Sequence, residues 1–276
     1  MNTMMRSLQH TKDRWHFPGL EEAVAWCRAC NERGITGIMH PLGEFVEDQE
    51  AAEDAARAYE DCISAIHTHN LDASVAVKPS AIGVALQTEA FHEYLEQILS
   101  YAMAKRVPVG IDMEGTPLVR DTIDGAFRAA EQGYSFTLSL QAYLKRTPAD
   151  INRAADEGIP VRLVKGAYLG DLNQRDEIMA AFRTQAFLIS RRHPQFSVGT
   201  RDADLIRWLQ DSIPEARSRI TFGFLKGLGT ETMLGMANSG WKVHEYLPYG
   251  NDNGGYDRRR EIYLAALASA RIRPLV

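Results

Sequence analysis

Thr147-Pro148-Ala149-Asp150-Ile151-Asn152-Arg153-Ala154-Ala155-Asp156-Glu157-Gly158-Ile159-Pro160-Val161-Arg162-Leu163-Val164-Lys165 contains one full period of the pattern that decides the fold. A threonine and a proline open it, and proline suits a first helical turn because its missing N–H has no partner there in any case. Ala149 to Glu157 is helical in composition. Gly158 then stands where a left-handed cap is wanted, and Pro160 to Lys165 is a short apolar run of strand type. The order helix, glycine, strand gives the polarity of the repeating unit.

Working outward, the same alternation recurs along the chain. Strands are expected over Ile35 to Met39, Ala73 to Lys78, Val107 to Met113, Ser135 to Gln141, Pro160 to Lys165, Phe196 to Thr200, Ile220 to Leu225 and Lys242 to Leu247. Helices are expected over Glu53 to His69, Phe91 to Ala104, Asp121 to Gln132, Ala149 to Glu157, Asp176 to Arg191, Asp202 to Gln210, Thr230 to Ser239 and Tyr256 to Ala270. Gly133 and Gly240 repeat the role of Gly158. Eight such units favour closure into a (β/α)8 TIM-type barrel over an open doubly wound sheet. Leu20 to Arg33 reads as an extra helix before the first strand, so residues 1–33 form an N-terminal helical extension and residues 34–276 the barrel domain.

The 276 residues carry 31 basic and 36 acidic side chains, a net charge of −5. That balance excludes a basic nucleic-acid scaffold. Hydrophobic residues at 45% and charged residues at 24% are those of a globular chain rather than a disordered one. No stretch approaches the ~18 uninterrupted apolar residues of a membrane span, and Met1 to His16 lacks the apolar centre of a secretory signal. Cys27, Cys30 and Cys62 are too few for a disulfide framework. The expectation is a cytoplasmic protein without stable membrane insertion. Cys27 and Cys30 form a C-x-x-C, but no second pair completes a zinc site, and they read as ordinary helix residues. His67 and His69, at a helix end, read as surface.

In such a barrel chemistry belongs at the carboxyl ends of the strands. The polar residues expected there are Glu44, Lys78, Asp112, Glu114, Gln141, Arg162, Lys165, Tyr168, Thr200, Arg201, Asp202, Tyr246 and Tyr249. A lysine flanked by Val75 and Val77 is costly to bury without an anion; Asp112 or an anionic ligand would serve Lys78. Arg162 and Lys165 pose the same demand, and few buried partners are evident. Arg258, Arg259 and Arg260 cannot all share one helix face, so one or two can point into the mouth, where a guanidinium fork suits a carboxylate. Gly227-Leu228-Gly229 opens a helix and offers amides to a phosphate, although Thr232 breaks the dinucleotide fingerprint.

These residues resemble the flavin-dependent proline dehydrogenases. Val161-Arg162-Leu163-Val164-Lys165-Gly166-Ala167-Tyr168 is similar to the fifth-strand signature of that (β/α)8 family. Ser74 to Ala81, Ile111-Asp112-Met113-Glu114, Leu140 to Leu144, Tyr246-Leu247-Pro248-Tyr249-Gly250 and Tyr256-x-x-Arg259-Arg260 match in the same order, over roughly Gly34 to Leu264. The resemblance implies FAD held near its ring by Gln141, Arg162 and Lys165, with Thr200, Arg201, Gly227 and Gly229 completing the cofactor-binding set. It implies a substrate-carboxylate clamp of Lys78, Arg259 and Arg260, with Asp112, Tyr168, Leu225, Tyr246 and Tyr256 as walls and support.

The resemblance also implies the reaction. Hydride leaves the carbon beside the nitrogen of proline or a related amino acid for flavin N5, giving an imine, and a quinone or oxygen takes the electrons onward. Departures accompany it: Arg201 where the family has histidine, Thr221 and Gly223 where it has a Glu-x-Gln pair, and Tyr263 where it has glutamate. They shift the ligand set toward more anionic groups and open the substrate to analogues of proline. Two other readings fit a lysine-bearing barrel: a Schiff-base lyase using Lys165 or Lys78, and a non-catalytic flavin- or amino-acid-binding homologue.

Overall fold

The eight apolar runs become eight parallel strands: β1 Ile35–Pro41, β2 Ala73–Val77, β3 Val109–Ile111, β4 Thr137–Gln141, β5 Val161–Val164, β6 Phe196–Gly199, β7 Ile220–Leu225 and β8 Lys242–Tyr249. Each pairs with the next, and β8 pairs with β1, so among the described residues the sheet closes into a barrel. The structure is a computed structural model and describes residues 15–166, 170–251, 256–259 and 261.

Helices α1 Leu20–Asn31, α2 Gln49–Thr68, α3 Thr88–Lys105, α4 Thr116–Glu131, α5 Thr147–Asp156, α6 Arg175–Arg192, α7 Ala203–Ser212, α8 Ala216–Arg219 and α9 Thr230–Asn238 surround it. Successive strand side chains point to opposite faces of a sheet, and this separates two apolar environments. Ile35, Met39, Val75, Val77, Phe222, Phe224 and Leu247 join the main core between sheet and helices. Ile38, Ala76 and Tyr246, with Leu225 against them, meet inside the barrel.

Element boundaries differ from expectation for local reasons. β1 and β8 run two residues past their expected ends because Pro41 pairs with Tyr249, and Leu42 N–H continues the ladder to the Tyr249 carbonyl at 2.7 Å. β3 is shorter than expected, although Asp112 N–H still bonds the Val77 carbonyl at 2.9 Å. α2 starts four residues early because the Asp48 carboxylate accepts from Ala51 N–H at 2.8 Å, satisfying an otherwise orphaned donor. The 3-10 turn Pro79–Ile82 and α8 were not anticipated. Gly133, Gly158 and Gly240 have φ of 89°, 68° and 79°, the left-handed caps expected of them.

The segment before α1 is fastened to β8 and the turn after it. Phe17 N–H bonds the Pro248 carbonyl and Gly250 N–H the Phe17 carbonyl, both at 2.9 Å. Cys27, Cys30 and Cys62 are free, buried thiols. Burial first, with nearby acidic charge, pushes the Cys27 thiol up to about 12, so it is an inert core group. His67 and His69 are exposed, as expected.

Candidate active site

Parity along the strands brings side chains from distant parts of the chain to one end of the barrel interior. Lys78 follows β2, Asp112 follows β3, Gln141 ends β4, Arg162 lies on β5 and Tyr246 on β8. Asp112 is the hub. Lys78 Nζ donates to its Oδ2 at 3.0 Å and Tyr246 OH donates to the same oxygen at 2.7 Å. Arg162 Nη2 donates to Oδ1, and Arg162 Nε donates to Ser139 Oγ at 3.0 Å. Burial alone would raise the Asp112 carboxyl, but the charges of Lys78 and then Arg162 outweigh it and hold the group well below the usual carboxylate range. Asp112 is therefore an anion.

A second carboxylate lies above it. Glu44, in the loop between β1 and α2, accepts from Arg259 Nη2 at 2.5 Å and lies 3.9 Å from Lys78 Nζ. Arg259 is half-buried in the helical turn 256–259, Arg258 is exposed, and Tyr256 is buried. Arg258 and Arg259 thus diverge as helical geometry requires. Tyr168, Arg260 and Tyr263 lie outside the described residues. Lys78 and Arg162 are better partnered than the sequence suggested: Asp112, the anion named for Lys78, also serves Arg162, and Glu44 lies beside Lys78 as a second anion.

Glu114 braces the floor. It accepts from Ser80 N–H at 2.7 Å and Ser80 Oγ at 2.8 Å, and burial raises its carboxyl. Gln141 Nε2 donates to the Glu114 carbonyl and Tyr143 OH donates to Gln141 Oε1, both at 2.7 Å. Tyr143 in turn fills the space beside Gly166, where an added Cβ would come within 1.8 Å of its ring. The Gln141 side chain is held from two loops at once. Tyr249, expected at the mouth, is elsewhere: it faces the outer core and hydrogen-bonds Cys62. It sits three residues from Tyr246, an odd step that turns it to the opposite face of β8.

Across the mouth is a cationic half. Lys165 Nζ is 3.6 Å from Asp202, and Arg175 Nη2 donates to the same carboxylate at 3.1 Å. Burial, with Arg175 and Arg201 nearby, lowers the Lys165 pKa despite Asp202. Thr200 Oγ1 accepts from Asp202 N–H at 3.2 Å, and the Arg201 guanidinium nitrogens are buried. Gly227 and Gly229 have φ of 72° and 71° at the start of α9, and a Cβ added at Gly229 would come 3.7 Å from the Arg201 Cβ.

This half has the charge to hold an anionic cofactor. Lys165, Arg175 and Arg201 outnumber Asp202, which suits a pyrophosphate, and Gly199 and Gly223 are paired in register on the barrel's inner face. A Cβ at Gly199 would meet Val164 Cγ1 at 2.9 Å, so the close packing of β5 against β6 favours glycine there, and one at Gly223 would lie 3.4 Å from the Val198 carbonyl.

Residues 23–181 match the family model described as proline dehydrogenase. The chain belongs to the proline dehydrogenase family. It is 30% identical over 252 residues to proline dehydrogenase 1 of Bacillus subtilis subsp. natto, covering 87% of this chain and 82% of the relative. It is 25% identical over 257 residues to the proline dehydrogenase of Deinococcus radiodurans, with 87% and 82% covered. Among solved structures it resembles proline utilization A of Bdellovibrio bacteriovorus inactivated by N-propargylglycine, with a TM-score of 0.79 at 18% identity over 93% of this chain. A Bradyrhizobium japonicum proline utilization A gives 0.80 at 19% identity over 98%. At those identities the likeness is one of fold, and the chain spans 33% of either protein.

In the proline dehydrogenase barrel, Leu225 packs against the cluster of Ile38, Ala76 and Tyr246. Residues that sequence reasoning missed are Ser139, which aligns Arg162; Tyr59, whose hydroxyl accepts from Lys78 N–H at 2.9 Å; and His40 on β1. Inward parity on the strands was the available signal for Ser139 and His40. Lys78 is an ion-paired ammonium, which is not the neutral amine that Schiff-base chemistry requires.

Proposed function

We propose that this chain is an FAD-dependent proline dehydrogenase, with L-proline as substrate and a quinone or oxygen as electron acceptor. Gln141, Arg162, Lys165, Thr200, Arg201, Gly227 and Gly229 would hold the cofactor. When bound, FAD supplies at N5 the acceptor for the hydride that leaves the carbon beside the substrate nitrogen, and the organic product is an imine.

The chain's own contribution is positioning. Lys78, Arg259 and Arg260 bind the substrate carboxylate, and Glu44, reaching both Lys78 and Arg259, keeps those cations close together. Asp112 stays ionised and fixes Lys78, Arg162 and Tyr246 in relation to one another. Leu225, Tyr246, Tyr256 and Tyr168 wall the reacting carbon from water. Family membership supports the reaction; the observation that carries the assignment of residues is the convergence of Lys78, Asp112, Arg162, Tyr246 and Arg259 on one barrel end.

Residues 34–276 are taken as the catalytic barrel and residues 1–33 as its N-terminal extension. Among the described residues no helix is long and apolar enough to cross a membrane. The free thiols support a reducing, cytoplasmic location. Anaerobic addition of L-proline to the purified holoprotein should bleach its flavin absorbance. Yellow protein that no amino acid bleaches, or colourless protein that borohydride traps on a carbonyl substrate, would contradict the proposal.

A further inference from the structure

His40 shares inward parity with Ile38 on β1 and is fully buried. Its ring centroid lies 5.6 Å from that of Tyr246 on β8 and 6.4 Å from that of Tyr59 on α2. Nδ1 is 3.0 Å from the Ala76 carbonyl on β2. A carbonyl oxygen only accepts, so Nδ1 carries the proton and Nε2 presents a lone pair. Nε2 is buried with no hydrogen-bond partner among the described residues.

The charged groups acting on the ring are Lys78 just after β2, Asp112 just after β3 and Glu44 from the loop after β1. Burial first, then Lys78, lowers the His40 pKa to about 4, so the imidazole is neutral at neutral pH. A buried acceptor without a donor is costly. Lys78, which acts on the ring, and Arg259, joined to Lys78 through Glu44, are donors that match a carboxylate, which brings acceptors alone. The part of an amino acid that brings a donor is its nitrogen.

We propose that His40 is a substrate-binding residue whose Nε2 accepts a hydrogen bond from the substrate N–H, so that the site selects an amine beside the carboxylate. This rests on the function proposed above. Cations grip one end of the substrate and a neutral acceptor grips the nitrogen, which fixes the C–H bond between them. The same lone pair repels a ring oxygen at that position, so His40 discriminates against oxygen-ring acids.

The test uses dithionite-reduced holoenzyme, which cannot turn over proline, and calorimetric titration with L-proline and with its ring-oxygen isostere, tetrahydrofuran-2-carboxylate. Wild type should prefer L-proline by roughly tenfold or more. His40→Asn retains a donor for the Ala76 carbonyl but lacks Nε2; it should lose most of that preference while binding the isostere as well as wild type does. His40→Gln, with an amide oxygen near the Nε2 position, should recover part of it. In 15N-histidine-labelled wild type, the Nε2 resonance should move upfield with L-proline and not with the isostere, a readout that needs no variant to fold. Equal weakening of both ligands in the variants, or an Nε2 resonance that ignores L-proline, would overturn the assignment. Anaerobic L-proline bleaching of oxidised wild type separates the two claims: if it fails, the proposed function falls and His40's role with it.

Discussion

Asp112 and Glu245 are both buried carboxylates of the same barrel, and their environments are opposite. Asp112 faces inward and meets two cations, a tyrosine and a serine. Glu245 faces outward from β8 toward α1, where Trp26 Nε1 donates to it at 2.8 Å and Cys30 Sγ at 3.1 Å. Burial raises the Glu245 carboxyl, and these neutral donors, with Lys226 acting at longer range, do not reverse it. The inner acid is kept charged by strong partners; the outer acid is driven toward its protonated form. The barrel wall thus carries a polar reaction chamber on its inner face and a structural fastening on its outer face, and the cation partners tell the two acids apart.

Asp112→Asn should break the comparison most severely. It leaves the Lys78 and Arg162 charges buried without their shared anion, an imbalance of the kind that costs about 3–5 kcal/mol, read by urea unfolding. The pH dependence has a definite sign. Asp112 has a folded pKa below its ordinary 3.8, so its contribution is present above pH 3.8 and is lost as pH falls. The variant should therefore show a flatter acid limb than wild type.

Lys78→Met should come next. It removes one of two cations from Asp112 and one member of the carboxylate clamp, and kcat/KM for L-proline should fall about 100-fold, with flavin content retained. A variant with unchanged kcat/KM would leave Lys78 as a structural partner of Asp112 alone.

Glu245→Gln should have the smallest effect, within about 1 kcal/mol near pH 4.5 and with turnover unchanged. Here the sign is reversed. The folded pKa lies above its ordinary 4.5, so wild type loses Glu245's contribution as pH rises through that value, and the variant does not. Stability of Glu245→Gln relative to wild type should therefore improve between acid and neutral pH. An Asp112-like acid limb at Glu245 would erase the contrast.

The barrel was legible because hydrophobic periodicity is local: Gly158, the strand that follows it and the helix that precedes it sit within one stretch of chain. The clamp was legible in part. Lys78 demanded an anion, and Asp112 was a named candidate. That one carboxylate also serves Arg162, 50 residues away, depends on the register of three strands and left no mark in either segment. Tyr249 was misplaced because proximity to the mouth outweighed its odd step from Tyr246. His40 was passed over because a histidine on an apolar strand carries no motif; its significance arises only when Ala76 fixes Nδ1 and leaves Nε2 bare.

The central claim is that Lys78 and Arg259 grip a substrate carboxylate. The direct measurement is anaerobic stopped-flow flavin reduction by L-proline and by L-prolinamide, whose carboxylate is replaced by a neutral amide, in wild type and Arg259→Met. Wild type should favour L-proline by about 100-fold or more in the concentration dependence of reduction, and the variant should lose most of that preference through slower reaction with L-proline. Equal preference for L-proline in both proteins would contradict the claim.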